Sequence, residues 1–196
     1  MRRFVASLVC VVGLVAAVPG HGATWELDPA HSSVSFAVRH MMISTVRGQF
    51  RTFSGTAIGD PTSPEQAKLE ATIDVASIDT GNEKRDAHLK SADFFDVQQF
   101  PKMTFKSTKI EPAGPGKYKV TGDLTLHGVT KPVVLEVEGP TKPVTMGNVK
   151  SGAHATTRIN RKDFGITWNK SMDGGGIMVG DDVDVTIDVE AAKKND

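Results

Sequence analysis

The sequence predicts an all-β domain of eight antiparallel strands, a barrel or a sandwich, with one short helix between strands. Three observations carry that expectation. Apolar and polar residues alternate with a period of two in eight separate segments, as in strands with one buried face. Many of the 19 glycines and 10 prolines fall between those segments, where turns need them. One stretch, Asn82–Ser91, lacks the alternation and carries charged, helix-compatible residues.

The chain opens with Met1-Arg2-Arg3, an apolar run from Phe4 to Val18, and the small-residue exit Pro19-Gly20-His21-Gly22-Ala23. A basic start, a short apolar core and a small exit mark a secretory signal peptide, and the run falls short of the roughly 20 residues of a spanning helix. The expected division is a leader over residues 1–23 and one domain over residues 24–196, with no stable membrane insertion. The single cysteine, Cys10, leaves with the leader, and a domain of this length buries enough apolar surface without a disulfide. Of 23 basic and 23 acidic residues, Arg2 and Arg3 are lost with the leader. The small negative balance that remains speaks against nucleic acid as a partner.

The first predicted strand spans His31 to Arg39, with Val34, Phe36 and Val38 on one face and Ser33, Ser35, Ala37 and Arg39 on the other. It ends in a soft apolar corner, His40-Met41-Met42-Ile43, and a return strand runs through Gly48, Phe50 and Phe53 to Gly55, where a strand can bend. Leu69, Ala71, Ile73 and Val75 mark the third strand, Met103, Phe105 and Ser107 the fourth, and Tyr118, Val120, Gly122, Leu124 and Leu126 the fifth. The sixth carries Val133, Leu135 and Val137, the seventh Ala155, Thr157 and Ile159, and the eighth Val183, Val185, Ile187 and Val189. In the helical stretch, Thr80 or Asn82 is the expected N-cap, with Glu83 and Asp86 near the positive end. Leu89, Phe94 and Phe95 then plug one end of a barrel or form a lid over it. Pattern alone does not separate barrel from sandwich; closure removes exposed edges, and eight strands enclose an interior that side chains fill or one small ligand occupies. Strands of about ten residues, rising about 3.3 Å each, make such a lumen on the order of 30 Å long.

The stretch His31-Ser32-Ser33-Val34-x-Phe36, with His40 and Val46-Arg47-Gly48-x-Phe50-x-x-Phe53-Ser54-Gly55, resembles the opening signature of the YceI-like family of polyisoprenoid-binding periplasmic proteins. The same holds for Ser77-Ile78-Asp79-Thr80-Gly81-Asn82 with Arg85-Asp86-x-His88-Leu89-Lys90-Ser91-Ala92-Asp93-Phe94-Phe95, for Phe100-Pro101-x-Met103-Thr104-Phe105, for Val120–Thr130, and for Arg161-Lys162-Asp163-Phe164-Gly165. The resemblance implies an eight-stranded antiparallel lipocalin-like barrel in the periplasm, an interior that holds an isoprenoid tail, no catalytic residues, no required cofactor, and homodimeric association.

Nothing in the residues themselves argues for catalysis. His31, His40, His88, His127 and His154 are scattered, with no pair at a metal-ligand spacing, so no metal site is expected. His127 and His154 are expected on outward strand faces. Ser32, Ser33 and Ser44 lie near histidines but without a strained nucleophile elbow. Asp79, Asp86 and Asp93 cluster with Arg85 around the helix, as a salt-bridged cap would. The glycines of Gly174-Gly175-Gly176 lead into a strand, so they suit a hairpin connection better than a phosphate cradle.

The expected lumen set is Val34, Phe36, Val38, Phe50, Ala71, Ile73, Phe105, Leu124, Leu126, Leu135 and Val137, with Met41, Met42, Phe94 and Trp168 near an end. Small inward residues at Ala71, Ser107, Gly122, Ala155 and Thr157 would leave a filled core underpacked, as a hollow for a chain-shaped guest requires. Arg39, His40, Asn82, Arg85 and His88 are the expected head-group contacts, able to donate to a quinone carbonyl or a diphosphate. Binding, storage or transport of a long-chain isoprenoid or similar amphiphilic lipid is the expected function. The alternatives are a metal-dependent hydrolase or isomerase on a packed barrel, and a protein-interaction or stress-response module.

Overall fold

The computed structural model describes residues 22–171 and 175–195. The expected leader lies almost wholly outside the described residues, as do Met172, Asp173 and Gly174 of the glycine-rich connection. Twelve strand segments follow in order: β1 (Thr24–Leu27), β2 (Ser33–His40), β3 (Ser44–Phe50), β4 (Phe53–Ile58), β5 (Lys68–Asp74), β6 (Ile78–Asp79), β7 (Lys102–Gly114), β8 (Lys117–Leu126), β9 (Val129–Glu138), β10 (Val144–Met146), β11 (Asn148–Asn160) and β12 (Val179–Lys193). The helix α1 (Glu83–Lys90) lies between β6 and β7.

These segments make eight barrel strands because three strands are interrupted without changing direction. Both β1 and β2 pair with β12, and β4 and β3 continue the same hairpin on their other side. Then β5 pairs β4, while β6, reached through a turn at Val75–Ser77, pairs β3. The antiparallel ladder runs on through β7, β8, β9 and β11 and closes where β11 meets β12. Closure leaves no free edge along that ring, and β10 extends it as a hairpin on β11. The sheet is thus a barrel and not a sandwich.

Local chemistry accounts for the interruptions. Asp28 accepts from the Ala30 amide at 3.0 Å and turns the chain between β1 and β2, while Asp74 accepts from Ala76 at 3.0 Å and ends β5. Three residues, Met41, Met42 and Ile43, join β2 to β3, with Met41 and Met42 at φ 51° and 61° and the Ile43 amide donating to the His40 carbonyl. That is a type I′ turn, whose twist matches the strands it joins. Asn82 caps α1, its Oδ1 accepting from the Arg85 amide at 3.0 Å, as anticipated; Thr80 is not the cap.

Two clusters of fully buried side chains sit at the α1 end. One holds Val34, Phe50, Val75 and Ile78, the other Phe94, Leu126, Phe164 and Ile166, and Leu89 and Phe95 pack against both. The plug expected of Leu89, Phe94 and Phe95 is therefore real.

Candidate functional site: a hollow apolar interior

Beyond the plug the barrel is hollow. A cavity of about 410 Å³ runs inside it, within the roughly 300–1,000 Å³ usual for small-molecule sites. At the α1 end its wall is Leu89, Phe94, Phe95, Ile166 and Val179; at the far end it is Trp25, the β4–β5 loop from Gly59 to Ala67, and Gly139-Pro140. Inward residues between the ends, among them Phe36, Ile73, Phe105, Leu124, Leu135 and Val137, are only half-buried because they border empty space instead of one another.

Two aromatic rings are held back against the wall by glycines. Phe36 lies over Gly48 on the neighbouring strand and Phe105 lies over Gly122, so closely that a Cβ at either glycine would collide with the ring. The small residues thus let the rings lie flat and keep the lumen clear. Two other small inward residues complete the wall itself. Ser107 Oγ accepts from the Leu69 amide at 2.9 Å, and Thr157 Oγ1 donates to the Val134 carbonyl at 2.8 Å.

Of the fifteen residues expected in the lumen, twelve border the cavity: Val34, Phe36, Val38, Phe50, Ala71, Ile73, Phe94, Phe105, Leu124, Leu126, Leu135 and Val137. Met41, Met42 and Trp168 do not. The two methionines form the exposed β2–β3 turn, because the apolar corner falls at the tip of a hairpin that outreaches the barrel. Trp168 packs on the outer side of the plug, its ring 4.9 Å from His88 and 5.0 Å from Phe94.

The head-group set is corrected as a whole, since none of its five members borders the cavity. Arg39 donates to the Met42 carbonyl at 2.7 Å and to Thr45 Oγ1 at 3.0 Å, bracing the turn. His40 closes β2 beside Ser44, and Asn82 is spent on the helix cap. Arg85 reaches the Thr80 hydroxyl at 2.7 Å and carbonyl at 2.9 Å. His88 faces Asp93 at 2.8 Å and meets Phe94 and Trp168 edge to face. The helix cap is likewise not salt-bridged through Arg85: Asp86 accepts from Thr80, while Asp79 pairs with Arg51 at 2.7 Å. A short helix folded outside the plug points its polar side chains at its own neighbours, which periodicity could not reveal.

Sequence reasoning overlooked three features of the site. Trp25 and Leu27 border the cavity and extend the alternation upstream, so the pattern held their signal. The Gly59–Ala67 loop carries Pro61 and Pro64 to the far end of the cavity, where no periodic signal exists. Arg161 is buried at the cavity edge and donates to the carbonyls of Ile166 at 2.7 Å, Trp168 at 2.8 Å and Gly180 at 2.9 Å, and to Asp181 at 3.2 Å. Burial pulls its pKa below the usual guanidinium value and Asp181 opposes that shift. All the near donors are used, so Arg161 clamps the connection after β11 and offers little to a guest.

Among the described residues one group has metal-ligating side chains close together: Asp28, His31 and Glu190. Lys150 occupies it, with Nζ 2.6 Å from Glu190 and 3.5 Å from Asp28. The hydrogen bond from His31 and the Ala30 amide hold the Asp28 carboxyl below its usual range, and Glu190 raises the Lys150 ammonium. The group is an ion-paired network in which the lysine supplies the positive charge. His154 also pairs with an acid, Asp188, at 2.8 Å. His127 is not on a strand face; it sits in the β8–β9 turn at φ 51° and meets the Phe164 carbonyl at 3.1 Å.

Fold and site together define a class: a small closed antiparallel barrel, plugged at one end by a helix and its aromatic tail, with an apolar hollow inside. The YceI-like domain model matches residues 25–191, and the chain belongs to that family. It is 40% identical over 161 residues to a UPF0312 protein of Staphylococcus aureus, covering 81% of this chain and 91% of the relative. Among solved structures it is similar to Burkholderia cenocepacia BcnA, with 30% identity, TM-score 0.72, and 84% and 98% of the two chains covered. It is similar also to a Campylobacter jejuni YCEI protein, with 37% identity, TM-score 0.68, and coverage of 80% and 90%. A polyisoprenoid binding domain from Saccharophagus degradans shares the fold at 14% identity, TM-score 0.64, and coverage of 88% and 99%.

Proposed function

We propose that this protein binds a long-chain isoprenoid or similar amphiphilic lipid, of quinone or polyprenyl type, inside the barrel. Residues 1–23 direct its export, and the folded domain stores or carries the lipid in the periplasm. The observation that supports this most is the hollow itself, walled by aliphatic and aromatic side chains along its axis. Burying a methylene contributes about 0.8 kcal/mol, so two or three isoprene units offset the several kcal/mol lost in immobilising a guest. The tail supplies the affinity. Four of the five polar residues expected to read a head group, Arg39, Asn82, Arg85 and His88, are engaged elsewhere, so the head contributes little, and binding without chemistry is the natural role.

Native mass spectrometry of the purified protein, followed by denaturing extraction, tests the reading. An extractable apolar molecule in stoichiometric amount is expected. A protein that emerges empty and also refuses added long-chain quinones overturns it.

A further inference from the structure

The β2–β3 tip is an unusual surface for a turn. Met41, Met42 and Ile43 are 37%, 65% and 79% exposed. Two consecutive left-handed residues ordinarily call for Asn-Gly or similar, yet methionines hold both positions, at φ 51° and 61°. The backbone at the tip is braced from within. Arg39 donates to the Met42 carbonyl and the Met41 amide donates to the Met178 carbonyl at 2.7 Å. That second bond brings the neighbouring connection alongside, including Ile177, itself 36% exposed, and Lys170, whose carbonyl accepts from the Met178 amide.

Three exposed cations flank the tip. Arg39, Arg47 and Lys170 are exposed, and among the described residues no carboxylate lies within ion-pair distance of any of them. Most other cations of the outer wall, such as Lys106, Lys117 and Arg158, face acids. The second exposed apolar patch, Val144 and Met146 of β10, differs in this respect: Val144 shares its groove with charges of both signs, Glu138, Asp188 and Glu190 beside Lys150. The whole chain is formally neutral, so the asymmetry is local and invisible to net charge.

We propose that the β2–β3 tip docks reversibly on an anionic lipid bilayer, with Met42 and Ile43 entering the interface and Arg39, Arg47 and Lys170 facing the phosphates. Flexible apolar side chains flanked by exposed cations complement such a surface both in polarity and in charge. The proposal goes beyond the carrier reading and does not need it, because the tip residues are not on the cavity wall.

Flotation of the full chain with vesicles of phosphatidylcholine mixed with phosphatidylglycerol tests it, with pure phosphatidylcholine alongside. Wild type floats with the mixed vesicles and little with the neutral ones. Ile43→Asp lowers the bound fraction about tenfold, as does the pair Arg47→Gln with Lys170→Gln, while Met146→Asp leaves it unchanged. Thermal melting of each variant and its uptake of added quinone from detergent match wild type, which separates this surface from the interior. Absence of flotation, equal flotation on neutral vesicles, or tip variants that float like wild type because the N-terminal segment carries the binding would each overturn the proposal. So would a dimer that Ile43→Asp dissociates without any vesicle binding, which assigns the patch to a second copy.

Discussion

The two halves of the barrel are built from the same alternating strands and do opposite things with them. At the α1 end, Val75, Phe164 and Ile78 are 1%, 2% and 3% exposed, locked by the aromatic tail that follows the helix. Along the middle, Phe36, Phe105 and Leu135 turn inward just as fully yet remain half-buried, since what they face is empty. The lesson is that inward orientation and burial are separate properties. Strand pattern sets the first; the second depends on what a neighbouring element inserts. Here one end carries the packing that stabilises the fold, which frees the remainder to stay hollow.

That division predicts unequal costs for similar truncations. Phe164→Ala at the plug should lower unfolding free energy by about 3–5 kcal/mol, because it opens a cavity in a close-packed cluster. Leu135→Ala in the hollow should cost about 1–2 kcal/mol, the transfer contribution with little added cavity. Urea denaturation of the two variants decides it, and equal losses would mean that the interior is uniform.

Next in size is Arg161→Met. The substitution leaves the carbonyls of Ile166, Trp168 and Gly180 without a donor, while Asp181 keeps its other partner, Lys162. A buried carbonyl left without its donor costs about 1–3 kcal/mol, and several are left here. Proteolysis should then begin in the connection between β11 and β12. A variant that is only uniformly less stable, with no new cleavage there, would show that the arginine does not hold that segment.

Substitutions in the hollow should separate binding from stability. Phe36→Trp fills part of the lumen and should weaken uptake of a long-chain quinone about tenfold while changing stability by less than about 1.5 kcal/mol. Gly122→Val acts on the same space by another route, pushing the Phe105 ring off the wall, and adds a stability loss because Lys106 backbone also crowds that position. Fluorescence titration with the quinone checks both. Unchanged uptake in Phe36→Trp would place the guest elsewhere.

Much of this was legible in the residues, for a specific reason. A strand of an enclosing wall has one face that must be apolar, so Val34, Phe36, Ile73, Phe105, Leu124 and Leu135 announce their orientation by period alone. The distinction between barrel and sandwich needed the β1–β12 and β2–β12 pairings, contacts between the first and last strands that no local pattern encodes. Met41, Met42 and Trp168 misled because composition says what is apolar but not whether a hairpin overshoots the barrel rim. Arg39, Asn82, Arg85 and His88 misled because a polar side chain near a mouth has competing backbone partners close by in the chain, and the local partner won each time.

The smallest expected effect compares the two ends through their carboxylates. Asp79, on β6 beside the plug, is held below the usual carboxylate range first by the Gly81 amide and then by Arg51; Asp60, in the loop at the far end, is held down by the Thr62 amide and hydroxyl, with a lesser pull from Lys193. A depressed folded pKa contributes stability above the unfolded value of about 3.9 and loses it as pH falls through the folded value. Stability should therefore drop on acidification below about pH 4, and Asp79→Asn and Asp60→Asn should each flatten that drop slightly, since Asp60 is exposed and Asp79 only half-buried. Salt distinguishes them. The Arg51 ion pair is screened while an amide hydrogen bond is not, so the Asp79→Asn effect should shrink between low and high ionic strength and the Asp60→Asn effect should persist. Equal salt sensitivity in urea midpoints measured across that pH range would mean that Arg51 contributes nothing at the plugged end and that backbone amides alone hold both carboxylates.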